Sequence, residues 1–126
     1  MLQTKKWPFQ QQVPQPILVR NGKIRYIKVD GPSFPLGIQA EVEYSETTFQ
    51  LRADDVVIFY TDGLPEAMNS VHEEFDFERF EATLGSLQLN LLSAPEIVQH
   101  LLKAVQDFAG NAIPHDDITV VLVRVM

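Results

Sequence analysis

Acidic residues stand at the ends of two strongly apolar, β-branched runs. In the first, Val56-Val57-Ile58-Phe59-Tyr60 runs into Thr61-Asp62-Gly63; in the second, Asp116-Asp117 leads into Ile118-Thr119-Val120-Val121-Leu122-Val123. A carboxylate at the end of a core strand is held on rigid backbone, and Gly63 lets the chain turn beside it with no side chain in the way. If the two strands are antiparallel neighbours, the end of the first lies beside the start of the second, and Asp62 and Asp116 meet at one rim of the sheet. Paired acids in that position suit a hard divalent cation such as Mg²⁺ or Mn²⁺, which prefers oxygen ligands; without a cation they repel. Asp62 has a competing role. An aspartate just ahead of a helix is more often an N-cap than a ligand, and it is the second acid-led strand, far along the chain, that turns the reading toward a cation.

The elements that must position these acids follow from pattern. The five apolar or aromatic residues from Val56, led by Asp54-Asp55, predict a strand covered on both faces. Leu64 to Met68 predicts the start of a helix, with Pro65 in the one turn that tolerates it. Upstream, Ile17–Arg20 and Lys23–Val29 flank Asn21-Gly22, a hairpin signal, and the mixed faces of the second arm place it near a sheet edge. Asp30 to Gly37 reads as a loop. Val42 to Leu51 reads as a third strand with a bulge near Thr47, joined through Arg52-Ala53-Asp54 to the strand at 56–60 as an antiparallel hairpin.

Downstream, 69–74 is a polar loop. From Phe75 onward, Phe77, Phe80, Ala82 and Leu84 form one side of a short helix ending at Gly85. Ser93 and Glu96 have capping-box spacing, and Ile97, Leu101, Ala104, Val105 and Phe108 then recur at three- and four-residue steps until Gly110. Residues 1–15 have no period and are read as an irregular segment, with Trp7 and Phe9 as possible anchors. Residues 16–126 form the domain. The fold class is α/β of the α+β sandwich kind, a mostly antiparallel sheet with helices packed on it.

Bulk properties narrow the function classes. A chain of 126 residues, 45% hydrophobic, suffices for one core. A formal net charge of −7 disfavours nucleic acid and anionic membrane surfaces, and suits cations or basic protein surfaces. Without cysteine the chain has no disulfide, no zinc–thiolate site and no cysteine-nucleophile phosphatase chemistry, which fits a cytoplasmic location. No run approaches the ~18 apolar residues of a membrane span, and the N-terminus has no apolar signal core.

Tyr60-Thr61-Asp62-Gly63 followed by Glu66-Ala67, and Asp116-Asp117-Ile118-Thr119 ahead of the last strand, resemble the late motifs of the metal-dependent PPM-type serine/threonine phosphatases. The bacterial branch of sporulation stage II E-like and sigma-factor-regulator phosphatases is the most similar. Pro16 to Arg20, the Pro35-Leu36-Gly37 turn and the acid-led strand before Tyr60 match that branch in order, so the resemblance runs from about Pro14 to the C-terminus. It implies a sandwich of antiparallel sheets between helix layers. The implied reaction is hydrolysis of phosphoserine or phosphothreonine by a water activated between two Mn²⁺ or Mg²⁺ ions, in sigma-factor or two-component signalling. By the same resemblance Asp62 and Asp116 are metal ligands. Gly63 belongs to the Asp-Gly motif, Glu66 supports the turn, and Asp117 helps start the strand.

The chain departs from the family in its early motifs. No Gly-Asp pair and no Gly-His-Gly occur, Gln12-Val13 stands where Gly-His is usual, and Leu64-Pro65 replaces the usual Val-Thr. A two-metal centre needs more carboxylates than Asp62 and Asp116 supply. The expectation is therefore a C-terminal phosphatase portion that binds metal weakly and is inactive by itself, with its further ligands supplied from outside this chain. Two alternatives stay open: a non-catalytic, phosphatase-like module that binds a partner through the acidic rim, and an unrelated α/β domain whose acids cap and solvate. Expected partners are a phosphoprotein substrate or a regulatory protein, and a second copy joined through an exposed sheet edge.

Overall fold

The computed structural model describes residues 14–28, 48–113 and 116–126. Among these residues the sheet has four strands, β1 (Ile17–Arg20), β2 (Lys23–Tyr26), β3 (Val56–Tyr60) and β4 (Val120–Arg124), in the order β2-β1-β3-β4. Every neighbouring pair is antiparallel. Two helices, α1 (Asp76–Ser86) and α2 (Ala94–Ala109), separated by a 3₁₀ turn at Leu89–Leu91, cover one face.

The β1–β2 hairpin forms for the expected reason. Asn21 and Gly22 both take positive φ, 51° and 74°, as a two-residue turn matching strand twist requires. β2 is an outer strand, as its mixed faces predict. Its paired span ends at Tyr26, although Ile27 N–H still donates to the Pro16 carbonyl at 2.8 Å; Val29 lies outside the described residues.

The core lies between the sheet and the helices. Ile17, Val19, Val56, Ile58 and Tyr60 meet Leu64, Phe75, Phe80, Leu84, Ile97, Leu101 and Val105. α2 begins with the predicted capping box: Glu96 N–H donates to Ser93 Oγ at 3.3 Å, and Ser93 N–H donates to Glu96 Oε1 at 2.9 Å. That satisfies two of the N–H groups a helix start leaves unpaired. α1 buries Phe80 and Leu84, four residues apart, whereas Phe77 sits at the edge of the core and packs edge-on against Tyr26 and Tyr60. Arg124 ties β4 to the turn between the helices, its guanidinium donating to the carbonyls of Leu89, Asn90 and Leu92.

Three expectations are corrected. The residues after Gly63 form successive turns and not a helix, because the chain returns at once: Phe75 N–H donates to the Ala67 carbonyl and Asp76 N–H to the Pro65 carbonyl, each at 2.7 Å, and Met68 bridges Glu74. Those carbonyls are thereby withdrawn from any helical ladder. The polar stretch between is indeed a loop, organised by Asn69, whose Oδ1 accepts from Val71 and Glu73 N–H.

Of the strand expected at Val42–Leu51, the described residues 48–51 do not pair with β3. Residues 42–47 lie outside the described residues, 48–51 are unpaired, and both sides of β3 are taken by β1 and β4. Nor is β3 covered equally on its two faces. Val57 and Leu18 on the face away from the helices are buried, but Phe59 is 47% exposed beside Val121 and Val123 at 53% and 43%. The loop expected at 30–37, the bulge near Thr47, and Trp7 and Phe9 fall outside the described residues.

Candidate metal centre

Both acidic strand ends arrive at the same rim of the sheet. β3 and β4 pair from Val56↔Arg124 to Tyr60↔Val120, so the chain leaving β3 runs beside the chain entering β4. Thr61 extends the ladder past the last paired residues. Its N–H donates to the Thr119 carbonyl at 3.0 Å, its Oγ1 accepts from Thr119 N–H at 3.0 Å, and the same hydroxyl donates to the Asp117 carbonyl at 3.3 Å. One side chain thus stitches the Asp62 turn to the Asp116-Asp117 segment. Thr61 carries no role in the sequence reading; its signal is a hydroxyl placed just after an apolar strand and opposite a second threonine.

Gly63 makes the approach closer still. A Cβ on Gly63 would stand 2.9 Å from the Asp117 carbonyl carbon and nearer yet to its oxygen. The glycine does not adopt a positive φ, so it is close backbone approach, and not conformational freedom, that excludes a side chain. The turn is closed by Glu66 N–H donating to the Asp62 carbonyl at 3.0 Å and Leu64 N–H to the Thr61 carbonyl at 3.1 Å. Glu66 therefore takes part in the turn, at least through its backbone, where the sequence reading puts it.

Asp62 is half-buried, and Asp116 and Asp117 are exposed. Among the described residues no group donates a hydrogen bond to the Asp62 carboxylate, and no helix starts there for it to cap. Its charge is felt next door: burial pushes the Tyr60 phenol up to about 12, and the negative Asp62 adds to that shift. Tyr60 Oη donates to the Gln15 carbonyl at 2.8 Å. Asp116 Oδ1 accepts from Asp117 N–H at 2.7 Å, shaping the entry into β4.

The other acids have different work. Asp55, at the opposite end of β3 and roughly 20 Å from Asp62 at ~3.3 Å per residue, is only 1% exposed. Arg20 grips it with two bonds, Nε to Oδ1 at 2.9 Å and Nη2 to Oδ2 at 2.6 Å, and Arg52 N–H donates to Oδ2 at 2.7 Å. The Arg20 hydrogen bonds hold its carboxyl at about 2 against the opposing effect of burial, with Arg52 N–H assisting. Three of the roughly four acceptor sites of this carboxylate are thus taken, and its charge is already answered by Arg20.

The donor set can be tested against the ion it would hold. No group of three or more histidine, aspartate or glutamate side chains that could hold a metal occurs among the described residues. A hard divalent ion takes about six oxygen ligands, so two rim carboxylates would leave most positions on even a single ion to water or to groups outside this chain. The two carboxylates do not fit a pair of ions.

The sequence signature of the stage II sporulation protein E (SpoIIE) family matches residues 9–126. The chain belongs to that family. The fold agrees: it resembles the phosphatase domain of the cell fate determinant SpoIIE from Bacillus subtilis, with a TM-score of 0.63, 24% identity, and coverage of 89% of this chain and 48% of that one. The same domain in a crystal form without domain swapping gives 0.60 at 27% identity, covering 88% and 46%. The SiaA PP2C domain of Pseudomonas aeruginosa gives 0.68 at 19% identity, covering 89% and 43%. The chain thus spans less than half the length of these structures, and its architecture is part of a PPM-type (PP2C) phosphatase fold. No curated protein matches the sequence significantly. No helix among the described residues is long and apolar enough to cross a membrane.

Proposed function

We propose that this chain is the C-terminal portion of a protein serine/threonine phosphatase and that Asp62 and Asp116 contribute ligands to a Mn²⁺ or Mg²⁺ ion at the sheet rim. The observation that carries this reading is the β3–β4 register, which seats the Asp62-Gly63 turn against the Asp116-Asp117 backbone. A divalent ion there would lower the pKa of bound water and neutralise phosphate charge, so phosphoserine or phosphothreonine hydrolysis needs no side-chain nucleophile. The chain's own residues hold the geometry: Thr61 and Gly63 fix the separation of the two backbones, the Glu66 turn orients Asp62, and Asp117 leads into β4.

Two carboxylates leave a second ion without protein ligands, which would have to come from outside this chain. Hydrolysis by the chain alone is accordingly weak or absent. The exposed Phe59, Val121 and Val123 suit coverage by the rest of a full-length domain. Cytoplasmic bacterial signalling, with a phosphoprotein substrate or a regulatory protein as partner, belongs to this reading, as does self-association through an outer strand, β2 or β4. The sparse donor set favours one alternative, a non-catalytic module that recognises a partner protein through the same rim.

Calorimetric titration with Mn²⁺ tests the metal site. The wild-type chain binds, and Asp62→Asn and Asp116→Asn each weaken binding at least tenfold. Binding unchanged in both variants overturns the proposal. A phosphoserine-peptide hydrolysis assay separates the alternatives: activity restored by supplying the missing half of the domain selects the phosphatase, and continued inactivity of that complex selects the binding module.

A further inference from the structure

Beside the rim lies a cavity of about 300 Å³ whose walls are mainly apolar: Ala67 and Met68 from the turn after Gly63, Val105 and Ala109 from the last turns of α2, and Ile118 from the approach to β4. Gly63, Asp116 and Asp117 also line it, so the cavity and the candidate metal centre share one edge. Its back is fixed by Val105, which is 3% exposed, whereas Ile113 at its lip is 89% exposed.

We infer that this cavity receives an apolar side chain adjacent to the phosphorylated residue of a protein substrate. The inference rests on the phosphatase reading above and adds to it a basis for sequence selectivity. Continuity with the rim is the first argument. A phosphate bound through a divalent ion on Asp62 and Asp116 would leave its neighbouring residue about 3.5 Å further along an extended chain, within a side chain's reach of a cavity that already includes Asp116. Chemistry is the second. The walls offer apolar contact, their volume is at the small end of the range for sites that take small organic groups, and an occupant there would also cover the exposed Ile113. Charge is the third: Asp117 at the edge, which the reading above leaves outside the metal ligands, repels an acidic neighbour, so a substrate with aspartate or glutamate beside its phosphorylated residue is disfavoured.

Phosphoserine peptides flanked by leucine, glutamine or aspartate, titrated into the Mn²⁺-loaded chain, test this. The leucine peptide binds about tenfold more tightly than the glutamine peptide, in line with a filled apolar pocket, and the aspartate peptide binds least. Ala109→Phe, which fills the cavity, abolishes the preference. Ile113→Ser, a surface change that leaves folding intact, narrows it, so the test survives if the first variant fails to fold. Both variants bind Mn²⁺ as the wild type does. Equal binding of the three peptides, or no peptide binding, by a chain that still binds Mn²⁺ overturns the inference and leaves the metal site standing. Mn²⁺ binding that is absent, or indifferent to Asp62→Asn and Asp116→Asn, removes the phosphatase reading and this inference with it.

Discussion

Replacing Gly63 by alanine puts a methyl group into a space already held by backbone. The new Cβ would lie 2.9 Å from the Asp117 carbonyl carbon, closer to its oxygen, and 3.5 Å from the Asp116 carbonyl carbon. Favourable carbon contacts lie at about 3.5–4.0 Å, so the two backbones must part by roughly 1 Å at the rim. No rotamer change relieves the clash, because the obstructing atoms are main chain, and overpacking of this kind costs about 1–3 kcal/mol. Parting the backbones also stretches the two hydrogen bonds of the Thr61 hydroxyl, each contributing about 1 kcal/mol. The sum, about 3–5 kcal/mol, is a large share of the 5–15 kcal/mol typical of a domain. Urea unfolding followed by circular dichroism measures it, and Mn²⁺ titration of the folded fraction should show weaker binding. Gly85→Ala is the matched control: nothing lies within 4 Å of a Cβ there, the position is helical, and the substitution should stabilise by up to about 1 kcal/mol. Gly63→Ala within about 0.5 kcal/mol of wild type, the spread of an ordinary surface change, would refute the close-approach argument.

Thr61→Val keeps the shape and removes the hydroxyl, leaving Thr119 N–H without its partner. With the hydroxyl's bond to the Asp117 carbonyl gone as well, a loss of about 2 kcal/mol is expected, with Mn²⁺ affinity falling alongside, and unchanged Mn²⁺ affinity would show that Thr61 does not hold the rim. Asp55 ionises at about 2 in the folded chain against an ordinary 3.8. The unfolded chain therefore takes up that proton more readily, so the stabilisation is complete above pH 3.8 and is lost as pH falls through about 2. Melting temperatures followed downward from pH 5 should drop over that window for the wild type, and Asp55→Asn should start lower and vary less. A D55N profile parallel to the wild type would remove Asp55 as the source. Mn²⁺ at a concentration that saturates the wild type should raise its melting temperature and raise that of Asp62→Asn by clearly less.

Local signals read true where the determinant is local. Asn21-Gly22 marks its hairpin because few residue pairs accept two positive φ angles in succession. Ser93 and Glu96 mark the start of α2 because their side chains close a reciprocal pair within one turn. β3 and β4 are visible as apolar, β-branched runs. What does not show is who sits beside whom. Sequence adjacency pairs β3 with the segment just before it, yet β1, some forty residues back, occupies that side. The turn after Gly63 reads as helix because Leu64, Glu66, Ala67 and Met68 favour helix, and only the return of Phe75 and Asp76 onto their carbonyls prevents it. Asp55 reads only as one of two acids ahead of a strand; its role becomes plain once Arg20 is beside it. At the rim, Asp62, Gly63, Glu66, Asp116 and Asp117 stand out as a pattern, while Thr61 and the cavity behind Asp116 emerge only from the folded arrangement.

The clasp between Arg20 and Asp55 bears on events at the far end of its strand. Side chains alternate along a strand, so sliding β3 by one residue against β1 would carry Asp55 away from Arg20, leave a charge stranded in the interior, and turn Asp62 toward the other face. Of all the alignments β3 might sample against β1, the ion pair rewards the one that sets the face on which Asp62 leaves the strand, and the β3–β4 pairing then places that turn beside Asp116. A residue at one end of the strand thereby vouches for the facing of a residue at the other.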